Sequence, residues 1–355
     1  MSISSKATGL RPGVCTSTTR PSGPYTGQII YETDTGQMQV WNGSSWGSLN
    51  PTANRNVIIN GGMDVWQRGT SGFATTDGTY TADRWRHTSN NLTITRDTDV
   101  PTGFNYSAKL VGTSDNSFAQ RIESINAAPL AGQIVTVSFY AKRTSGSGAL
   151  DVRLYYPSAV DNFASNTQIG STYVVSSSPS SSWTRYTYTV SSVLPANVAN
   201  GLMLLINNTG AATTFITGVQ LEVGTQASAF ERRLYGSELA LCQRYYEKSY
   251  NADVAPTTNT TAGIWYNTMA VDAVGNIDLD INFCVPKRST VGMTVAFYQA
   301  SGTAGSWNYG RNGASGTTTM NFNIASTNHA HCYGSPGGSW TPCWLYGHWV
   351  VNAEL

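Results

Sequence analysis

The chain is short of charge. Only 12% of its 355 residues are Asp, Glu, Lys or Arg, and the formal net charge is +1, against ~25% charged residues in an ordinary globular protein. No clustered basic field exists to grip phosphates, which excludes nucleic acid and an anionic membrane surface as partners. Long apolar runs are missing too. Nothing approaches the ~18–20 apolar residues of a membrane span, and the opening "MSISSKATGLRPGVC" lacks the apolar core of a secretory signal. No membrane insertion is expected, and assembly in a cytoplasm is. The five cysteines (Cys15, Cys242, Cys284, Cys332, Cys343) are odd in number and have no CxxC spacing. They read as reduced thiols rather than a disulfide or zinc framework, with a Cys332–Cys343 pair across a hairpin as the alternative. A serine-triad hydrolase is disfavoured as well. There is no Gly-x-Ser-x-Gly elbow, and the four histidines are His87, His329, His331 and His348.

What the chain has is β signal. It holds 19 Tyr, 10 Trp and 35 Gly, with glycine punctuating short alternating runs as all-β sandwiches require. "GQIIYETDTGQMQVWNGSSWGSL" (27–49) predicts a meander, with turns at Asp34-Thr35-Gly36 and Asn42-Gly43. So small a sheet needs a partner surface. "NPTANRN" (50–56) predicts a linker. Strands are then expected from Val57–Asn60 onward, through Leu92–Asp97, Ser107–Val111 and Phe118–Ile122. "QIVTVSFYAKR", "ALDVRLYY", "WTRYTYTVSS", "GLMLLINN" and "TTFITGVQLEV" continue the series. The period changes at "RRLYGSELALCQRYYEKSY", where Tyr235, Leu239, Cys242 and Tyr246 fall at i, i+4, i+7 and i+11. That spacing predicts an amphipathic helix behind a Ser237 cap. Beyond it, "IDLDINFCV", "MTVAFYQA", "TTTMNFNIA" and "WLYGHWVVNAEL" predict a second sandwich. The fold class expected is all-β, with an N-terminal meander (1–50), a sandwich (51–232), a connecting helix (233–250) and a C-terminal sandwich (251–355).

Four stretches, in order along the chain, resemble fibre and appendage proteins of tailed bacteriophages. "TRPSGPYTGQIIYETDTGQMQVWNGSSW" is similar to their N-terminal attachment piece. "NVIINGGMDVWQRGTSGF…YTADRW" looks like the start of their jelly-roll, carbohydrate-binding-module-like domain. "FITGVQLEVGTQASAFERRLYGSELALCQRYYEKSY" resembles the junction that follows, and "FCVPKRST…GHWVVNAEL" their C-terminal β domain. The resemblance implies a virion component, a homotrimer anchored to portal, neck, tail or capsid proteins, that binds host-surface glycans. A neutral, hydroxyl-rich and aromatic-rich surface suits sugar recognition independently of the resemblance. A head- or neck-decorating protein without glycan binding is the first alternative, and a capsular polysaccharide depolymerase the second.

The candidate residues follow. Virion attachment is assigned to Ile29, Ile30, Val40 and Trp41, through strand pairing and small apolar contacts. Glycan binding is assigned to Tyr140, Tyr155, Tyr156, Trp183, Tyr186 and Tyr188, on the wet face of the middle strands. Tyr235, Leu239, Cys242 and Tyr246 are assigned to an oligomer interface. Trp66 and Trp85 are expected to be packing residues. The only metal expected is a transition-metal ion on a trimer axis, because His329 and His331, at i and i+2, would offer six imidazole nitrogens from three copies. A structural calcium is not expected, since Thr217-Gly218-Val219-Gln220 supplies no acid. No enzyme activity is expected either. Asp278 and Asp280 share a strand face at the lower end of the ~5–9.5 Å that glycosidases use, but no further acid group accompanies them.

Overall fold

Alternating apolar residues between glycine turns set most of the local structure. The computed structural model describes residues 12–34, 36–48, 55–269, 276–311, 314–324, 326–336 and 343–355, and the chain divides into two units, 1–55 and 56–355. In the first unit β1 (Gly13–Cys15), β2 (Ile29–Glu32), β3 (Gln37–Trp41) and β4 (Trp46–Ser48) form one sheet in that order. The predicted meander is β2 to β4, and β1 adds a parallel strand beside it. The period of two in β2 turns Ile30 and Glu32 inward and Ile29 and Tyr31 outward. Glu32 pairs with Arg20. Asn42 closes the second turn, its Oδ1 accepting from the Ser44 and Ser45 amides at 2.9 and 2.8 Å, as an Asx turn does. Thr35 of the first turn and residues 50–54 of the expected linker lie outside the described residues.

The second unit opens with β5 (Trp85–His87), β6 (Leu92–Asp97), β7 (Ser107–Gly112), β8 (Asn116–Ile122) and the short helix α1 (Ser124–Ala127). It continues with β9 (Val135–Gly146), β10 (Leu150–Ala159), β11 (Asn162–Ser176), β12 (Thr184–Thr189), β13 (Leu202–Asn208) and β14 (Ala212–Val223). These strands make two five-stranded antiparallel sheets, ordered β12-β9-β14-β7-β6 and β11-β10-β13-β8-β5. Val135, Val137, Phe139 and Ala141 of β9 face the other sheet, as their alternation predicts. Trp66 and Trp85 are fully buried in the same core. Trp85 stacks on Phe118 with ring centres 4.7 Å apart.

The chain then forms α2 (Tyr235–Gln243), β15 (Tyr246–Lys248), β16 (Trp265–Met269), β17 (Ile277–Asn282) and β18 (Thr294–Tyr298). It ends with β19 (Ser306–Arg311), β20 (Ala314–Ile324), β21 (His329–Gly334) and β22 (Cys343–Asn352). The long β22 pairs with β15, β16, β18 and β19, so these strands wrap a separate core around Trp307, Phe297 and Leu345. Buried charge ties this layer to the first sandwich. Glu123 accepts from the Tyr245 hydroxyl at 2.7 Å and from Arg244 Nε and Nη2 at 3.1 Å each. Arg84 lies over the Tyr245 ring and pairs with Glu354.

Several expectations change. The helix is shorter than its predicted span. Leu234, not Ser237, occupies the N-cap, and no side chain caps it. Tyr246 lies in β15, where it pairs with β22, so the stripe of apolar residues ends at Cys242. Val57–Asn60 is not a strand and touches β14 through single bonds, Val57 N to Leu221 O at 3.0 Å among them. β11, unassigned from sequence, is the longest strand described.

Candidate functional site

The segment "GGMDVWQRGTS" (61–71) mixes apolar and charged residues with no helical or strand period, and the structure explains why. Asn60 and Met63 hold positive φ values of 56° and 57°, so the chain kinks twice within four residues. The Asn60 side chain fixes the kinks. Its Nδ2 donates to the carbonyls of Val65 and Asp83 at 2.8 and 3.0 Å, and its Oδ1 accepts from the Val65 amide at 2.9 Å. Trp66 Nε1 donates to the Met63 carbonyl at 2.7 Å. The loop therefore buries Met63, Val65 and Trp66 and turns Asp64 out into an open cleft of about 720 Å³.

Four parts of the fold meet there: the Asp64 loop, β6 with the loop after it, the start of α2, and the loop after β15. They bring Arg96, Phe104, Tyr106, Tyr235 and Asp253 to the same cleft. Arg96 Nη1 lies 3.0 Å from Asp253 Oδ2, and its guanidinium sits over the Tyr106 ring at 4.3 Å. Arg232 adds a second pair at the cleft wall, 3.6 Å from Asp64 and 5.1 Å from the Phe104 ring centre. Asn105 Nδ2 donates to Asp64 at 3.3 Å. Burial raises the Asp64 carboxyl above the usual carboxylate range, an effect that Asn105 and Arg232 oppose. Phe104 is held from below by Tyr140 and Phe230, with ring centres 5.4 and 5.1 Å away. Gly218, at φ +63°, makes room for it, because a Cβ there would sit 2.7 Å from Phe104 Cζ.

Chemically, the cleft offers the exposed ring of Tyr235 and the partly covered rings of Phe104 and Tyr106 beside two arginine–carboxylate pairs. Rings present the flat apolar surface that a pyranose face stacks on, and each pair offers donors and acceptors side by side, which suits adjacent hydroxyls.

The six residues assigned to glycan binding from sequence are not brought together. Tyr140 lies on the outer face of its sheet and meets the cleft through Phe104. Tyr186 and Tyr188 pair opposite Phe139 and Val137 and pack, like Tyr156, against the interior core. Tyr155 belongs to the other sheet, with its hydroxyl 3.1 Å from Gln168. Trp183 stands apart over Phe215 and donates to Asp99 at 3.1 Å. Tyr186 and Tyr188 were expected on the wet face but turn inward, because the register of β12 on β9 sets them opposite the core residues Phe139 and Val137.

Of the four residues assigned to an oligomer interface, only Tyr235 is exposed. Cys242 is buried with Ile59, Val65 and Tyr245, Leu239 packs on the same cluster, and Tyr246 is covered by Arg68 at 3.7 Å. Their apolar surface is already satisfied within the chain. In the N-terminal unit, Ile29 and Val40 pair on the exposed face, whereas Ile30 is buried and Trp41 packs on Trp46. His329 and His331 share one face of β21. His331, however, lies between two carboxylates, with Nδ1 3.1 Å from Asp280 and Nε2 3.3 Å from Asp278. Both of its ring nitrogens are thus engaged by carboxylates of its own chain. Among the described residues no three His, Cys, Asp or Glu side chains gather as a metal site. The side chain of Cys343, and with it the Cys332–Cys343 alternative, lies outside the described residues.

No protein-family model matches the chain, and no curated protein does. Among solved structures, carbohydrate-binding modules are similar to it. One is the CBM22-1 xylan-binding domain from Paenibacillus barcinonensis Xyn10C, at 12% identity and a TM-score of 0.29, covering 45% of this chain and 99% of that one. Another is TmCBM61, solved with β-1,4-galactotriose, at 12% identity and a TM-score of 0.29 over 48% of this chain and 100% of that one. The enzymatically active domain of tailspike protein 4 from bacteriophage CBA120 is similar at 16% identity and a TM-score of 0.32, over 48% of this chain. The match spans 22% of that tailspike chain. Likeness of this degree transfers no function, which lives in sites rather than folds.

Proposed function

We propose that the protein is a virion appendage of a tailed bacteriophage, a homotrimer that binds host-surface glycans without cleaving them, and that the cleft at Asp64 and Arg96 holds the saccharide. The observation that carries this reading is the meeting of Phe104, Tyr106 and Tyr235 with the Arg96–Asp253 and Arg232–Asp64 pairs in one open cleft. Attachment to other virion proteins is assigned to the first unit, whose sheet presents Val14, Ile29 and Tyr31 to solvent. Exposed strands and apolar side chains there suit pairing with a partner surface. Individual sugar contacts are weak, and several copies per particle multiply them through avidity. A binding role rather than hydrolysis is favoured because each cleft carboxylate is held in an ion pair, Asp253 with Arg96 and Asp64 with Arg232, which opposes the upward shift that burial gives Asp64.

The test is a glycan array with the purified protein, run beside a reducing-end assay on the glycans it binds. Saturable binding with no new reducing ends supports the reading. New reducing ends would move it to depolymerase, and binding that survives Arg96→Ala unchanged would move the saccharide elsewhere.

A further inference from the structure

We infer that the mouth of the first sandwich, between the β9–β10 and β11–β12 turns, binds a single oxyanion group (carboxylate, sulfate or phosphate) through Arg143. This cleft, about 490 Å³, shares no lining residue with the aromatic one, so the inference stands whether or not that one binds sugar.

Arg143 stands near the end of β9 and is 6% exposed. Its Nη1 donates to the Gly148 carbonyl and its Nη2 to Asn208 Oδ1, while Nε is buried with no hydrogen-bond partner. Neither acceptor carries charge. Other buried cations are neutralised: Arg84 pairs with Glu354, Arg86 with Asp77, Lys142 with Asp99 and Lys287 with Glu247. Arg143 forms no ion pair with any described residue. Lys248 is likewise without one, but Asp83 and Asp253 act on it electrostatically against the burial that lowers its pKa to about 8. A guanidinium keeps its charge. Burying an uncompensated charge is unfavourable, and Arg143 lines this cleft with no carboxylate among the other residues that line it.

The rim of that space is made of donors. Ser145, Ser147, Ser177, Ser178 and Ser181 line it and are exposed. The β9–β10 turn is held close, since Gly146 and Gly148 have φ +87° and +102° and a Cβ on either would run into the carbonyl of Ala211 or Thr209. Ser145 and Ser147 are therefore presented on a turn held close to its neighbours, and Ser177, Ser178 and Ser181 face them from the β11–β12 connection. A neutral sugar would leave the guanidinium uncompensated and a cation would be repelled, whereas an oxyanion supplies the missing charge and accepts from the serines.

The test measures thermal unfolding and calorimetric binding of the full chain with inorganic phosphate and, separately, glucuronate, each against sodium chloride at equal ionic strength. Ser145→Asp places a carboxylate in the cleft and Arg143→Met removes the cation. Saturable binding to the wild type, with a rise in Tm of about 2–4 °C at ~10-fold excess over Kd, is expected. Both variants should lose it, and Ser145→Asp should melt higher than wild type without added anion. Glucuronate binding at least ten times tighter than phosphate assigns the oxyanion to an acidic saccharide, and equal binding assigns it to a free ion. No saturable binding by the wild type, or an undiminished response in Ser145→Asp, overturns the inference.

Discussion

Gly218→Ala isolates the contact that positions the cleft wall. Gly218 has φ +63°, and an added Cβ would meet Phe104 Cζ at 2.7 Å, Phe104 Cε1 at 2.9 Å and Tyr140 Cδ2 at 3.0 Å. The substitution has two costs. The left-handed backbone costs a non-glycine residue ~1–2 kcal/mol, and pushing two packed rings apart costs ~1–3 kcal/mol more. The sum is ~2–5 kcal/mol. Gly72→Ala separates the two, because Gly72 has φ +77° and open space where its Cβ would go. It should lose only the backbone part. Urea unfolding followed by far-UV circular dichroism gives both free energies, and their difference is the ring contact. The displaced Phe104 should also weaken saccharide binding, which Gly72→Ala should leave intact. Equal stability losses in the two variants would refute the reasoning that Phe104 rests on the Gly218 backbone.

Other outcomes follow from the buried charges. Glu123→Ala strips the acceptor from the Tyr245 hydroxyl and from Arg244, and a loss of ~2–4 kcal/mol in urea unfolding is expected. A loss under ~0.5 kcal/mol would mean the seam between the two β layers does not depend on it. Burial lowers the His87 imidazole to about 4. The neutral ring is thus favoured in the fold, and its contribution is complete above the unfolded pKa of ~6.5. It is lost as pH falls from there towards 4, at up to ~1.4 kcal/mol per unit and ~3 kcal/mol in all. His87→Leu should flatten that limb of the stability curve, and an unchanged slope would show that other groups govern it.

The sandwich strands were legible where one face alternates against a core, as in β9, where a short apolar run is bounded by glycine and asparagine, as in β13, and where β-branched residues dominate, as in β14. β11 was not, because its Asn, Ser, Thr and Gln residues sit on an edge that is largely exposed and carry no period. Tyr246 continued the spacing of the helix in sequence, yet its pairing with β22 came from a strand about a hundred residues away, a tertiary preference no local pattern carries. The aromatic cleft was hidden for the same reason. Asp64, Arg96, Tyr106, Tyr235 and Asp253 come from separate segments and share no motif. The one visible sign was Asp64 itself, a carboxylate set among residues that otherwise read as core. Arg143 left a fainter sign, a cation in the inward phase of the β9 alternation.

The central claim is that the Asp64–Arg96 cleft holds a glycan, and equilibrium titration of array-identified glycans into wild-type and Arg96→Ala protein tests it most directly. Loss of the charged donor beside Tyr106 should weaken binding ~10–100-fold while the circular dichroism spectrum stays unchanged. Equal affinity in the two proteins would contradict the claim, as would the absence of any bound glycan.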